Sequence, residues 1–200
     1  MDFTLSKEHE MARQLFKEFA EKEVKPLAAE IDEEHRFPRE TVEKLAKYGM
    51  LGIPTPREYG GQGCDVMTYI MCVEEMSKVC ATTGVIVSAH TSLCIDPIMT
   101  YGTEEQKKKY VIPLAKGEKL GAFGLTEPGA GTDAQGQQTK AVLDGDEWVL
   151  NGSKCFITNG KEADVYVIFA VTDKIEKKGR FFKEISAFIV EKGTPGFTFG

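Results

Sequence analysis

From Leu5 to Ile31 the apolar residues Leu5, Met11, Leu15, Phe19, Leu27 and Ile31 recur at helical spacing among lysines and glutamates. Such a stripe predicts helices that bury one face and leave the other to water, with Pro26 as a kink or break dividing the run into a pair. A short helix is expected from Arg39 to Tyr48, stopped at Gly49, and the prolines and glycines of Gly52 to Gly63 predict a loop. Helical periodicity returns from Asp65 to Lys78 through Tyr69, Cys72, Val73 and Met76, and Val85 to Leu93 is apolar on most sides, as in a buried helix. Within and after it, His90, Cys94 and Met99 read as core packing. Thr103-Glu-Glu-Gln106 has the capping-box pattern and opens a last helix carrying Tyr110, Val111 and Leu114, with Lys107 to Lys109 as its solvated face.

After Lys116 the period changes. Alternating or β-branched runs follow at Ala122 to Thr126, Ala141 to Leu143, Trp148 to Leu150, Cys155 to Thr158, Asp164 to Val171 and Ile185 to Val190. Turn signals at Asp144-Gly, Asn151-Gly, Asn159-Gly and Thr194-Pro-Gly separate them. Helices first and strands afterwards predict an α+β chain of two domains, 1–118 helical and 119–200 β, the latter an antiparallel β-barrel or sandwich. Residues 194–200 read as a turn and the start of another strand, so that the sheet is expected to stop unfinished. Lys174 to Glu184 reads as an exposed charged hairpin tip anchored by Phe181 and Phe182, with a partner contact as the alternative.

The 200 residues, 42% of them hydrophobic, suffice for a globular core, and the net charge of −6 argues against a nucleic-acid or anionic-membrane surface. Five cysteines with no C-x-x-C pair suggest neither a disulfide framework nor a zinc site, and no metal is expected. MDFTLSKEHE lacks the basic and then apolar pattern of a signal peptide, and Thr82 to Tyr101 is interrupted by His90, Asp96 and Pro97. A soluble, cytoplasmic protein without a membrane span is the expectation.

The chemistry concentrates in Gly121-Ala-Phe-Gly-Leu-Thr-Glu-Pro-Gly-Ala-Gly-Thr-Asp133. Gly129 to Ala134 fits the dinucleotide fingerprint G-x-G-x-x-A, but that motif requires a helix next, and Thr139 to Leu150 instead predicts a hairpin. Unshielded main-chain N–H groups in the loop Pro128 to Gly131, where Pro128 itself has none, flanked by the hydroxyls of Thr126 and Thr132 and the apolar Phe123 and Leu125, suit a flat ring attached to a diphosphate. Asn151 to Gly160 has the same character, with Phe156 to lie against a ring and Thr158 to bond it. On spacing alone, β turns with ordinary core aromatics are the favoured account of both stretches, because turn glycines and strand phenylalanines are common. Glu127 and Asp133 read as loop capping and solvation.

FGLTEPGAGTD followed by NGSKCFITNG resembles the middle domain of the acyl-CoA dehydrogenase flavoproteins, most closely the short-chain, butyryl-CoA type; EYGG, YGTEEQKKKY and TPGFTFG agree, so that the resemblance runs over the whole chain. It implies bound FAD, with Phe123, Leu125 and Thr126 lining and bonding the isoalloxazine, Gly131 and Thr132 at the pyrophosphate, and Thr132 also near the acyl-CoA. Phe156, Ile157 and Thr158 stand where the family usually has Trp-Ile-Thr beside the flavin. Leu93, Cys94 and Ile95 are expected to help shape the substrate floor, with Leu93 and Ile95 as contacts. The implied reaction is α,β-dehydrogenation of a short-chain acyl-CoA, or the reverse enoyl-CoA reduction, with electrons passing to an electron-transferring flavoprotein. The resemblance also implies a tetramer built through a C-terminal helical bundle domain absent from this chain, and a glutamate base beyond Gly200. No residue of the chain is expected to serve as that base, so these residues alone are not expected to turn over. The alternatives are a noncatalytic FAD- or acyl-CoA-binding module and, within the enzymes, an acyl-CoA oxidase.

Overall fold

The computed structural model describes residues 4–177 and 179–200, with the side chains of Lys177, Arg180 and Phe181 outside the described set. The chain divides into two compact units, Met1–Gly121 and Ala122–Gly200.

The first unit is helical. Helix α1, Lys7–Phe19, starts where Ser6 accepts the His9 amide, and it runs through a π-helical turn, Ala20–Val24, into α2, Lys25–Glu34. Pro26 therefore does not break the run. It sits in the first turn of α2, where a missing N–H costs little, and the widened turn before it absorbs the clash of its ring. Next come α3, Arg39–Lys47, and α4, Val66–Val79, whose N-terminus is capped by the Asp65 carboxylate on the Thr68 amide at 2.8 Å. The other oxygen of Asp65 meets His9 Nε2 at 2.8 Å, and Arg13 of α1 binds Glu74 and Glu75 of α4. The core of this unit gathers Phe16, Phe19, Val24, Leu45, Leu51, Tyr69, Cys72, Met76 and Val87. The buried segment is α5, Ala81–Ser88, a π-helical stretch, Ala89–Ile95, and α6, Asp96–Tyr101. The capping box at Thr103 and Gln106 opens α7, Glu104–Gln106, which continues through Lys107–Val111 to α8, Ile112–Ala115.

His90 is fully buried. Its Nδ1 accepts the Gly121 amide at 2.9 Å, so its Nε2 carries the proton and donates to the Leu114 carbonyl at 3.1 Å. Burial, which disfavours the imidazolium, pulls its pKa down to about 4 and outweighs the carbonyls that favour charge.

The second unit is one five-stranded sheet: β1, Gly121–Gly124; β2, Lys140–Asp144; β3, Glu147–Asn151; β4, Val165–Lys177; and β5, Arg180–Glu191. The order is β1-β4-β2-β3, with β5 also paired to β4. The hairpins β2–β3 and β4–β5 are antiparallel, but β2 runs parallel to β4, with Lys140 opposite Val171. The sheet is mixed, which corrects the expectation of an antiparallel barrel or sandwich. Alternation reveals which residues lie in strands, whereas the connection from β3 to β4 passes over β2 and reverses the neighbour relation, which no local pattern records.

Two further expectations change. Cys155 to Thr158 forms no strand; it bends, because Phe156 and Asn159 both take left-handed backbone, with φ of 56° and 64°. Lys174 to Glu184 is mostly strand, since β4 and β5 continue to Lys177 and from Arg180, pairing Ile175 with Phe182. The charged hairpin expected there is present, but its charges belong to a long paired ladder and not to a tip alone. Phe182 is half-exposed, while the companion expectation for the Phe181 side chain lies outside the described residues. Residues 197–200 likewise form no strand; Phe197 packs edge-on against Tyr166, ring centroids 4.8 Å apart.

Candidate functional site

The site is built from the segment after β1 and the bend after β3. Beyond β1, Glu127 and Ala130 exchange both main-chain hydrogen bonds at 3.0 Å, closing a turn over Pro128 and Gly129. The bend joins it through the Cys155 amide, which donates to the Thr126 carbonyl at 2.9 Å.

Beneath the turn lies a buried ion pair. Lys154 Nζ donates to Glu127 Oε1 at 2.8 Å, to the Leu125 carbonyl at 3.0 Å and to Gln137 Oε1 at 3.1 Å. The Glu127 carboxylate also accepts the amides of Gln138 at 2.6 Å and Thr139 at 3.0 Å. The side chains of Lys154 and Glu127 are only 8% and 6% exposed. Burial alone would push Glu127 up, but these donors favour its charged form more strongly and hold it down at about 2. The reading of Glu127 as a solvated loop residue is thereby corrected: it is the anchor of the turn. Asp133 is exposed, as that reading has it.

Above the anchor, the outer surface is open. Gly129 and Gly131 have ordinary φ, and a Cβ built on either meets nothing within 4 Å. Nothing in the chain requires glycine there. Gly61 is the contrast, since its Cβ would stand 2.1 Å from the Thr55 carbonyl oxygen. Among the described residues, the amides of Gly129, Gly131 and Thr132 and the hydroxyls of Thr126, Thr132 and Thr158 meet no partner. Thr132 is exposed, and Thr126 and Thr158 are half-buried.

The bend displays its aromatic residue. Ile157 packs into the sheet core with Tyr166 and Ile168, and the left-handed backbone at Phe156 turns the neighbouring ring outward, 92% exposed. A non-glycine residue held there carries strain of about 1–3 kcal/mol. Tyr166 fixes the far end of the bend, donating to the carbonyls of Ala163 at 2.6 Å and Gly160 at 2.9 Å. Phe123 is half-buried against Phe169, centroids 5.1 Å apart, and Leu125 lies past the end of β1, half-buried, its carbonyl held by Lys154.

Thus Thr126, Gly131 and Thr132 share one loop with Leu125, and hydrogen bonding ties that loop to the bend of Phe156, Ile157 and Thr158. The residues of the helical unit fare differently. Leu93 is 39% exposed, whereas Ile95 is 2% exposed, because positions two apart on a helix point in nearly opposite directions. They do not share a face, and Ile95 belongs to the interior. Sequence reading missed Lys154, Gln137 and Tyr166. The available signal was that Lys154 is the sole charge between Asn151 and Gly160. No cluster of metal-ligating side chains occurs among the described residues, and no helix there is long and apolar enough to cross a membrane.

Comparison with known proteins identifies the family of both parts of the chain. The family models for the acyl-CoA dehydrogenase N-terminal and middle domains match residues 6–118 and 122–200. The short-chain specific acyl-CoA dehydrogenase of Clostridium acetobutylicum is 64% identical over the whole chain, which covers 52% of that protein. A chain in the structure of the electron transferring flavoprotein of Acidaminococcus fermentans, described with flavin-based electron bifurcation, superposes with TM-score 0.91 at 54% identity, covering all of this chain and 52% of its own. Butyryl-CoA dehydrogenase from Megasphaera elsdenii superposes with TM-score 0.90 at 47% identity, covering 99% of this chain and 52% of its own. The chain spans about half the length of the curated relatives it matches. With both family models matched in order along its length, this chain belongs to the acyl-CoA dehydrogenase family.

Proposed function

We propose that the chain forms the FAD-holding part of an enzyme that dehydrogenates a short-chain acyl-CoA thioester between its α and β carbons, or runs the reverse enoyl-CoA reduction. The observation that carries this reading is the pair of glycines, Gly129 and Gly131, which neither backbone conformation nor packing demands, beside amides and hydroxyls with no partner in the described chain. Glycine without an internal reason reserves space for something outside the chain, and bare amides suit a pyrophosphate. The residues fit the group: Gly131 and Thr132 would hold the diphosphate, Thr126 and Thr158 would bond the ring, and Phe123, Leu125 and Phe156 would line it, whereas the Ile157 side chain, expected beside them, packs into the sheet core and would support the bend from beneath.

A bound flavin supplies the hydride acceptor that no amino-acid side chain provides. The chain's own residues bind and orient. Thr132 would also approach the acyl-CoA; in the helical unit, Leu93 has apolar surface to offer a substrate, while Ile95 lies in the interior. Glu127 is excluded as the base because its carboxylate is occupied by main-chain donors and Lys154 and stays ionised far below neutral pH. The base is expected from chain beyond Gly200. Electron transfer to an electron-transferring flavoprotein and a cytoplasmic homotetramer complete the reading; the first draws on the relative solved in that context, and the second on family resemblance and acidic composition.

The test is the visible spectrum of the natural-length protein before and after anaerobic addition of butyryl-CoA. A flavin band that bleaches supports the reading, and a flavin band indifferent to short acyl-CoA thioesters removes the substrate. A noncatalytic binding module would show a bound flavin that no thioester reduces.

A further inference from the structure

Lys154 and Glu127 form a pair that the fold does not need for its sheet: neither residue belongs to a strand. They nevertheless occupy the point where three segments meet. Lys154 leads directly into Cys155, whose amide bonds Thr126; its Nζ holds the carbonyl of Leu125, the carboxylate of Glu127 and the side chain of Gln137. Glu127 closes the turn below Gly129 with its main chain and grips the amides of Gln138 and Thr139 with its side chain. A neutral hydrogen bond would fix one segment to one other. A carboxylate facing an ammonium, with both remaining ammonium donors and both carboxylate oxygens engaged by main chain or amide, fixes all three, and charge-assisted bonds inside a sealed site are stiffer than neutral ones.

The geometry points to Glu127 and Lys154 as a positioning pair, which locks the turn at 127–132 and the bend at 154–158 into a single rigid surface for the flavin. The inference rests on the proposed FAD site. Neither side chain reaches that surface, since both are almost wholly buried. Their action is through Leu125, Thr126, Gly131 and Thr132 on one arm and Phe156 and Thr158 on the other. Removing the pair lets the arms move independently, so that FAD must order them on binding and its affinity falls.

The experiment uses the natural-length protein stripped of flavin. Because either single change leaves a buried charge unpaired, the informative variant is the double change Glu127→Gln with Lys154→Met, which keeps the shapes and removes both charges. Dissociation constants for FAD are measured alongside amide hydrogen exchange. We expect the double variant to fold, to bind FAD weaker by about tenfold or more, the equivalent of one charge-assisted hydrogen bond, and to exchange faster at 125–132 and 154–158 while the helical unit is unchanged. A folded double variant with wild-type FAD affinity overturns the inference, even if its melting temperature falls, because that is a merely structural pair. Weaker binding with unchanged exchange also overturns it, because the pair would then act on FAD without positioning the segments. A wild-type protein that binds no FAD overturns the proposed function, a result visible before any variant is made.

Discussion

Substituting Lys154 by methionine keeps the length of the side chain and deletes its charge. Glu127 then remains buried with two main-chain donors but no cation. Breaking a buried pair at one end costs about 3–5 kcal/mol, because an uncompensated charge stays inside. The depression of the Glu127 carboxylate to about 2 from an ordinary value of 4.5 is shared between the Gln138 and Thr139 donors and Lys154, so that only part of it is lost with the cation. The sign follows from the direction. A carboxylate depressed in the folded state contributes its full stabilisation above about pH 4.5 and loses it as pH falls toward 2. The chain has a single tryptophan, Trp148 in β3, so urea unfolding followed by its fluorescence reports the sheet unit. At pH 7, Lys154→Met is expected to lower the unfolding free energy by about 3–5 kcal/mol. The deficit should shrink as the pH is taken below about 4, since protonation relieves the variant's stranded carboxylate and removes the wild type's advantage. A variant within about 1 kcal/mol of wild type, as an exposed ion pair would give, or a deficit constant across the acid range, would refute the assignment of Lys154 and Glu127 as a coupled buried pair.

Gly61→Ala drives a Cβ against the main-chain oxygens of Thr55 and Gly52, 2.1 and 2.6 Å away, and should destabilise the helical unit by about 1–3 kcal/mol; far-ultraviolet circular dichroism in urea checks it, and an unchanged midpoint contradicts the packing of that loop. Phe156→Gly should leave the sheet unit as stable as wild type or more so, since the lost ring is exposed and left-handed strain of about 1–2 kcal/mol is relieved, while FAD affinity drops; a loss of stability in Trp148-monitored unfolding would mean that the ring packs somewhere. His90, whose pKa burial lowers to about 4 from 6.5, contributes stabilisation that is complete above about pH 6.5 and lost as pH falls through 4. His90→Gln, which retains a donor and an acceptor, should flatten the pH dependence of helical-unit stability between those values, and persistence of the wild-type slope would place the responsible group elsewhere.

The helical half was legible where its helices carry a local signal: the stripe of α1, the Asp65 cap of α4 and the capping box at Thr103. Pro26 misled because a proline's effect depends on whether the turn before it can widen, which is settled by packing of Ala20 and Val24 in the core. In the sheet half, the hairpin of β2 and β3 could be read from Asp144-Gly, but the parallel contact of β2 with β4 could not, because it joins Lys140 to Val171, far apart in sequence with no shared turn. The site divided in the same way. Glycines, threonines and Phe156 stood out by type, whereas Glu127 read as a solvated loop residue because its partners Gln138, Thr139 and Lys154 are distant in sequence. The β propensity of Cys155 to Thr158 was overridden by the need to point Ile157 inward and Phe156 outward from adjacent positions while the chain turns at Asn159.

The claim at the centre of this account is that Gly129 and Gly131 are glycine for the sake of a ligand and not for the fold. It is tested most directly by titrating FAD into the flavin-stripped natural-length protein carrying Gly131→Ala, with its unfolding measured alongside the wild type. The account predicts stability within about 0.5 kcal/mol of wild type or slightly above it, together with FAD affinity reduced by about tenfold or more, as expected when a methyl group intrudes where a diphosphate approaches main-chain amides. A stable variant that binds FAD as tightly as wild type would contradict the claim.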